Sequence, residues 1–379
     1  MKTVVRRLLA TLLVGSVVFG CASPHPARPA DSPRALLSYL GQAQIPFGAT
    51  VDGVVIGGLS GISYDAGREV YYAISDDRSE EGPVRFFSVR LSLSDKGIDN
   101  VSVIASHTLL DRSGEPFEPL NLSASPPVVP PDPEGIAFDP QRQRLYWSSE
   151  GERLTDREPV LVNPWIWIAG LDGHYLGQFT LPANLAMSAQ LTGPRHNQAL
   201  EGLALAPDGR SLYAAMEEPR YDDGPETGRD HRTLTRITKF DVATAEPTAQ
   251  FGYPLEAPVW PASRNGVSDL VALSDTSFLV VERSVALPPV IRVFRTEITG
   301  ATDVLGLPSM RGAAVTPASK SLAVDLSTLS NAPGLSPLHN VEGITLGPKL
   351  SDGRQSVVLV SDDDFSPVTV TQFLLFAMD

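Results

Sequence analysis

Short apolar runs broken by turn residues recur along the chain at a long, regular period. Five unit starts read GLSGISYD (Gly58 to Asp65), DPEGIAFD (Asp132 to Asp139), ALEGLALA (Ala199 to Ala206), GVSDLVAL (Gly266 to Leu273) and NVEGITLG (Asn340 to Gly347). Each is followed by a second apolar run that ends in acid: YYAISDD, LYWSSEG, LYAAMEE, FLVVERS and VVLVSDD. Successive units begin 74, 67, 67 and 74 residues apart. A repeat of this length, with several short strands per unit, predicts a β-propeller.

The units can be walked strand by strand. The first predicts Ile62 to Tyr64, Val70 to Ser75, Arg85 to Leu93 and Val101 to Leu110. The second and third also hold four strands each, with Asp172-Gly173 as a hairpin turn in the second. In the fourth, the last strand is weak and is placed near Thr302 to Leu305. The fifth ends after three strands, and the strand-like segment Gln42 to Val55 is expected to fill its vacant place and close the ring. The expectation is an all-β propeller of five four-stranded blades, with a sixth allowed by the stretch from Gly306 to His339. Three insertions stand out: Asp111 to Pro131, Tyr221 to His231, and Pro308 to His339 with a helix expected around Leu322 to Leu329.

Composition agrees with a turn-rich fold: of 379 residues, 31 are Gly and 33 are Pro. The N-terminus reads differently. Lys2, Arg6 and Arg7 precede an apolar run from Leu8 to Val18, too short to span a bilayer and suited to a secretory signal. Val18-Phe19-Gly20-Cys21 resembles a bacterial lipobox, with Phe19 in place of the usual small residue. The expected organisation is a lipoprotein signal peptide over 1–20, a Pro/Ala-rich tether over 21–38 and the propeller over 39–379. Cys21, the only cysteine, becomes the lipidated residue and the membrane contact. A bacterial cell-envelope address follows, at the outer membrane facing the periplasm, or export. The net charge of -14 argues against nucleic acid as a partner. A monomer is the expected state.

Aligned, the units give two rings. At the entry to each first strand stand Ser60, Glu134, Glu201, Ser268 and Glu342; at the exit of each second strand stand Asp76, Glu150, Glu217, Glu282 and Asp362. First strands line the channel of a propeller, so both rings are expected at one mouth, with Asp77, Asp363 and Asp364 beside them. Crowded carboxylates repel and need compensation. Oxygen-rich clusters suit Ca²⁺. Arginines near in sequence, among them Arg78, Arg195, Arg264 and Arg283, suit phosphate or carboxylate oxygens. Pairing of the acids with these arginines as a repeated structural device is the competing account.

The same five stretches resemble the phytase-like domain of bacterial proteins described as having esterase-like activity, over about Gly57 to Phe376. That family is similar to propeller phytases, which hold Ca²⁺ in an acidic channel. The resemblance implies a calcium-dependent hydrolase of a small phosphomonoester or other ester. In that account Glu134, Glu201, Glu342, Asp362 and Asp76 are metal ligands. Arg195, Arg283 and Lys320 grip the substrate, and Glu150 or Glu217 is the general base. A serine hydrolase has little support, since no G-x-S-x-G motif is present. No H-E-x-x-H pattern occurs either, though His196 and His339 both stand just before a repeat start. A propeller lactonase and a non-catalytic surface-binding lipoprotein remain the alternatives.

Overall fold

A computed structural model describes residues 36–260, 263–284, 289–330 and 332–379. The expected signal peptide, most of the tether and Cys21 lie outside the described residues. Twenty strands form five four-stranded antiparallel sheets, and two short hairpins account for the other four. Each sheet is one blade. Blade 1 holds Leu59–Asp65, Val70–Ser75, Arg85–Ser94 and Gly97–Thr108. Blade 2 holds Pro133–Asp139, Arg144–Ser149, Trp165–Ala169 and Tyr175–Gln178. Blade 3 holds Leu200–Leu205, Ser211–Met216, Thr233–Asp241 and Glu246–Leu255. Blade 4 holds Asn265–Ala272, Ser277–Ser284, Val290–Glu297 and Ser319–Asp325. Blade 5 holds Asn340–Lys349, Gln355–Asp362, Thr371–Met378 and, from the other end of the chain, Leu37–Ile45. Each first strand touches the first strand of the next blade, and the fifth touches the first. The fold is a five-bladed β-propeller.

The inner strands are buried on both faces because every blade is sandwiched between two others, while outermost strands such as Gly97–Thr108 and Tyr175–Gln178 are partly exposed. Alternation then sorts the side chains. In blade 4, Leu279 and Val281 pack toward blade 5 with Val357 and Leu359, while Phe278 and Val280 pack toward blade 3 with Tyr213 and Ala215. Five such clusters fill the five blade interfaces.

Three expectations are corrected. The closing strand is Leu37–Ile45, paired from Leu37 with Met378 to Ile45 with Thr371, and it starts inside the expected tether. Residues 50–55 instead make a small hairpin. The fourth strand of blade 4 is Ser319–Asp325, where a helix was expected; only Leu326–Leu329 is a 3₁₀ turn, capped by Asp325. Thr302 to Leu305 runs along the outer edge of blade 3, where the Val304 N–H donates to Gln250 O at 2.7 Å. That segment covers an otherwise open sheet edge. With residues 306–339 so placed, no sixth blade remains among the described residues.

First strands approach each other closely around the channel. A Cβ on Gly135 would lie 2.5 Å from Glu201 O and 2.7 Å from Leu203 N, and one on Gly61 would lie 2.5 Å from Glu134 O. These neighbours are backbone held by ring closure, so they cannot yield cheaply. Gly135→Val is expected to lower unfolding free energy by about 1–3 kcal/mol. A urea titration checks this, and an unchanged midpoint would contradict the close-packed channel.

Candidate functional site

The feature that aims side chains into the channel mouth is a β-bulge repeated in every blade. Register slips between Leu59 and Gly61, Pro133 and Ile136, Leu200 and Leu203, Val267 and Asp269, and Val341 and Gly343. The slipped segments contain Ser60, Glu134, Glu201, Ser268 and Glu342, the entry ring. A bulge re-aims its residue, and here it gathers the three glutamates at one mouth. The partner ring follows from the register. Asp76, Glu150 and Glu217 donate backbone N–H to Gly58 O, Asp132 O and Ala199 O at 2.9, 3.1 and 2.8 Å, and Asp362 pairs with Asn340.

Blade 4 departs from the expected ring. The residue opposite Gly266 is Arg283, not Glu282. A slip of one residue turns a strand side chain to the other face. Glu282 therefore points away from the mouth, where it accepts from Tyr253 Oη (2.7 Å), the Glu256 N–H (3.0 Å) and Asn265 Nδ2 (2.7 Å) and is ion-paired with Lys320. Lys320 is removed from the candidate site by the same contacts; it lies over the Tyr253 and Phe294 rings. Arg195 does not reach the mouth either. Its guanidinium donates to Pro219 O (3.0 Å) and Gly224 O (2.7 Å) and stacks on Tyr221.

The mouth is a cavity of about 230 Å³. Asp76, Glu134, Glu201, Glu217, Glu342 and Asp362 line it as expected, joined by Arg283. Asp364, expected beside the rings, and Arg264, one of the arginines near in sequence, also line it, while Asp132, Asn197 and Asn340 line it with no role assigned from sequence. Asp132 and Asn340 share one register position, opposite the exit ring and two residues before the bulge. The first letters of DPEG and NVEG carry that signal. Asp77 and Asp363 turn aside. Asp77 pairs with Arg85 at 2.5 Å, and Asp363 accepts from the Gly58 N–H at 3.0 Å across the ring closure. His196 pairs with Glu152 at 3.1 Å, and neither it nor His339 lines the cavity.

Three carboxylate groups could each hold an ion: Asp76, Glu342 and Asp362; Asp132, Glu134 and Glu150; and Glu150, Glu201 and Glu217. Within each, ligand atoms lie within 4.8 Å of one another. Glu150 belongs to two. One of its oxygens accepts the Ala199 N–H at 2.5 Å, and the other is buried with no hydrogen-bond partner, as is Ser268 Oγ. Unpartnered buried oxygens beside an all-oxygen donor set fit a hard cation such as Ca²⁺. Burial first, and then mutual repulsion, pushes Asp76, Glu134, Glu201 and Asp362 well above the usual carboxylate range. Burial raises Asp132 to about 6 against Arg78, and Glu342 to about 7 against Arg283. Burial opposes the charge of Arg283, but Glu342, Glu217, Glu201 and Asp362 together keep it protonated. It donates to Asn340 Oδ1 at 2.6 Å and lies 3.0 Å from Glu342.

A family model described as phytase-like, esterase-like activity of phytase, matches residues 54–365. The chain belongs to the phytase-like family. No curated protein matches it significantly. Among solved structures, a thermostable family-43 glycoside hydrolase is 12% identical, with 86% of this chain and 92% of that one covered and a TM-score of 0.43. An exo-β-1,3-galactanase from Phanerochaete chrysosporium is 10% identical over 89% and 65%, also at 0.43. A glucose dehydrogenase-type oxidoreductase from Thermus thermophilus is 16% identical over 85% of each chain, at 0.33. Likeness at this level says nothing of what this member of the phytase-like family acts on.

Raised carboxylates carry a stability signature. A group whose pKa is higher folded than unfolded favours the fold below its unfolded value and loses that contribution as pH climbs through the folded value. The chelator-treated protein is expected to melt lower as pH rises from the ordinary carboxylate range through about 6 and about 7, the values of Asp132 and Glu342. Added calcium should flatten the slope, and Glu201→Gln should both flatten it and weaken the calcium response. Melting curves across pH, with calcium and with chelator, test this; a flat profile in chelator would count against the repulsion.

Proposed function

We propose that this phytase-like propeller hydrolyses a phosphomonoester or other ester at the acidic mouth with the help of bound Ca²⁺. The observation that carries this is the set of three carboxylate groups, two of them sharing Glu150, beside one buried arginine. Asp76, Glu342 and Asp362 would hold one ion, and Asp132, Glu134, Glu150 and Glu201 the rest, which leaves Glu217 as the free carboxylate. A divalent cation held there supplies positive charge and Lewis acidity to the ester oxygens.

The chain's own groups do the remainder. Asn340 and Glu342 fix the Arg283 guanidinium, and its Nε–H is buried and unpartnered, so a donor is left for a substrate oxygen. Glu217 lies 4.0 Å from Arg283 and is raised by burial, with Arg283 and Arg264 pulling it down. A carboxylate raised in this way is a stronger base than an exposed one and is placed to take a proton from water. Arg264, at 40% side-chain exposure, can swing toward an incoming anion. The N-terminal pattern ending at Cys21 supports a cell-envelope address for this activity.

Phosphate release from an aryl phosphate and from phytate, with calcium and with chelator, is the test. Calcium-dependent turnover of at least one of the two is expected. Glu217→Gln should lower kcat by about 10²-fold or more with little change in KM. Glu342→Gln should weaken calcium dependence about tenfold, and Arg283→Lys should raise KM. No release from any ester, with melting still raised by calcium, would leave a structural ion and overturn the enzyme.

A further inference from the structure

Beside the acidic mouth lies a second cavity of about 590 Å³, a volume typical of small-molecule sites. It is formed between the insertion 111–131 and the hairpin of Glu152–Leu154 with Val160–Val162. Leu122, Ala124 and Pro127 come from the insertion, with Ser125 between them, and Leu154, Pro159 and Val160 from the hairpin, whose exposed turn adds Asp156, Arg157 and Glu158 at the rim. Both segments leave the same face as the carboxylate cluster, because one follows the exit of a second strand and the other precedes the entry of a first strand. The hairpin begins next to Glu150. From Glu150 to Leu154 the chain covers roughly 13 Å at strand rise. The apolar part of the cavity is thus one short strand away from a candidate ion ligand.

The two faces of the propeller differ in what they expose. Among the described residues, large apolar side chains exposed in connections are Phe47, Leu120, Leu122, Leu161, Leu191, Val259, Trp260 and Val368. All stand in connections of the mouth face. The other three, Ile104, Leu176 and Leu322, lie on outer strands, so the opposite face has none in its turns. Charge points the same way. Arg283 and Arg264 are the only cations lining the mouth, against eight carboxylates. A densely anionic substrate finds little basic surface here, whereas an ester with one polar head and an apolar tail matches both cavities.

We infer that the substrate is an amphiphilic ester: its head occupies the carboxylate mouth, and its alkyl, acyl or aryl group occupies the cavity between the insertion and the hairpin. This rests on the hydrolase reading above and narrows its substrate class. Leu122 and Val160 are specificity residues in this account, because they contact the tail and not the reacting bond. Each methylene that enters the cavity should raise kcat/KM about fourfold until the cavity is filled.

The test uses the soluble chain from residue 36 with calcium present and 4-nitrophenyl esters and alkyl phosphates of increasing chain length, all below their aggregation limits. Expected is a rise in kcat/KM with chain length that Leu122→Ser and Val160→Ser flatten while leaving turnover of the shortest ester unchanged. Leu122→Ser sits on an exposed loop, and an unaltered melting midpoint shows that either variant is folded. Turnover independent of chain length would overturn the inference and leave the hydrolase standing. If no ester turns over, calorimetric binding of decyl phosphate against methyl phosphate decides. Tighter binding of decyl phosphate, weakened by Val160→Ser, upholds the tail cavity without the hydrolase; equal binding, or none, overturns it.

Discussion

Closing five blades around one axis forces the first strands nearer than side chains permit. Gly61, Gly135, Gly202 and Gly343 stand where a Cβ would strike the neighbouring strand, in three cases within 2.5 Å of backbone or side-chain atoms. Blade 4 alone carries a side chain there, and Asp269 makes it useful by accepting the Leu270 and Ile344 N–H groups at 2.8 Å each. Immediately before these five positions each strand bulges. The convergence of acid at the mouth is therefore a consequence of ring closure. What sequence chooses is only whether the aimed residue is Glu or Ser.

That choice breaks the fivefold symmetry. Glutamates enter from blades 2, 3 and 5, and serines from blades 1 and 4. Ser60 donates to Glu134 at 2.6 Å, so the serine of blade 1 supports the acid of blade 2. At blade 4 the serine keeps no partner, and the exit residue is Arg283, placed between the glutamates of blades 3 and 5. One cation set into a ring of acids lowers the repulsion without cancelling it. The residual negative charge gives divalent cations a reason to enter, and the fixed guanidinium gives an anionic head somewhere to sit. A symmetric ring of five acids would offer the first without the second.

Most of the fold was legible because a repeat shows itself five times. The entry ring keeps one place in all five bulges, since the apolar pattern locates it just before a residue that is glycine in four of the five blades. The exit ring failed at one place for an instructive reason. FLVVERS holds an acid and a base side by side, and matching by acid chooses Glu282 where pairing chooses Arg283. The closing strand was misplaced because Leu37–Ile45 has no repeat partner to align it. Ser319–Asp325 was hidden for another reason: Leu322, Leu326 and Leu329 recur at helix-like spacing across its end, and only pairing with Val290–Glu297 decides the matter. Arg195 was drawn in by proximity in sequence, which does not say which face of a strand or loop a long side chain takes; Lys320 entered only as a cation for the expected anion.

The two ends of the channel solve different problems. On the face away from the mouth, each first hairpin is closed by a side chain within its own turn. Asp65 accepts the Gly67 N–H, Asp139 that of Gln141, Asp208 that of Arg210, Ser274 that of Thr276 and Asp352 that of Arg354. Such turns need nothing from the rest of the fold and favour the correct hairpin early. Most connections on the mouth face are longer, and the one after blade 3's second strand is held by remote bonds, with Asp223 binding Arg220 and Arg236 together. Bonds of that kind form only once the blades are assembled. Local closure at one end fixes the register that sets the bulges, and the bulges set the acid cluster. The loops above it are then free to build an apolar wall beside a charged floor, because neither blade pairing nor ring closure depends on their sequence.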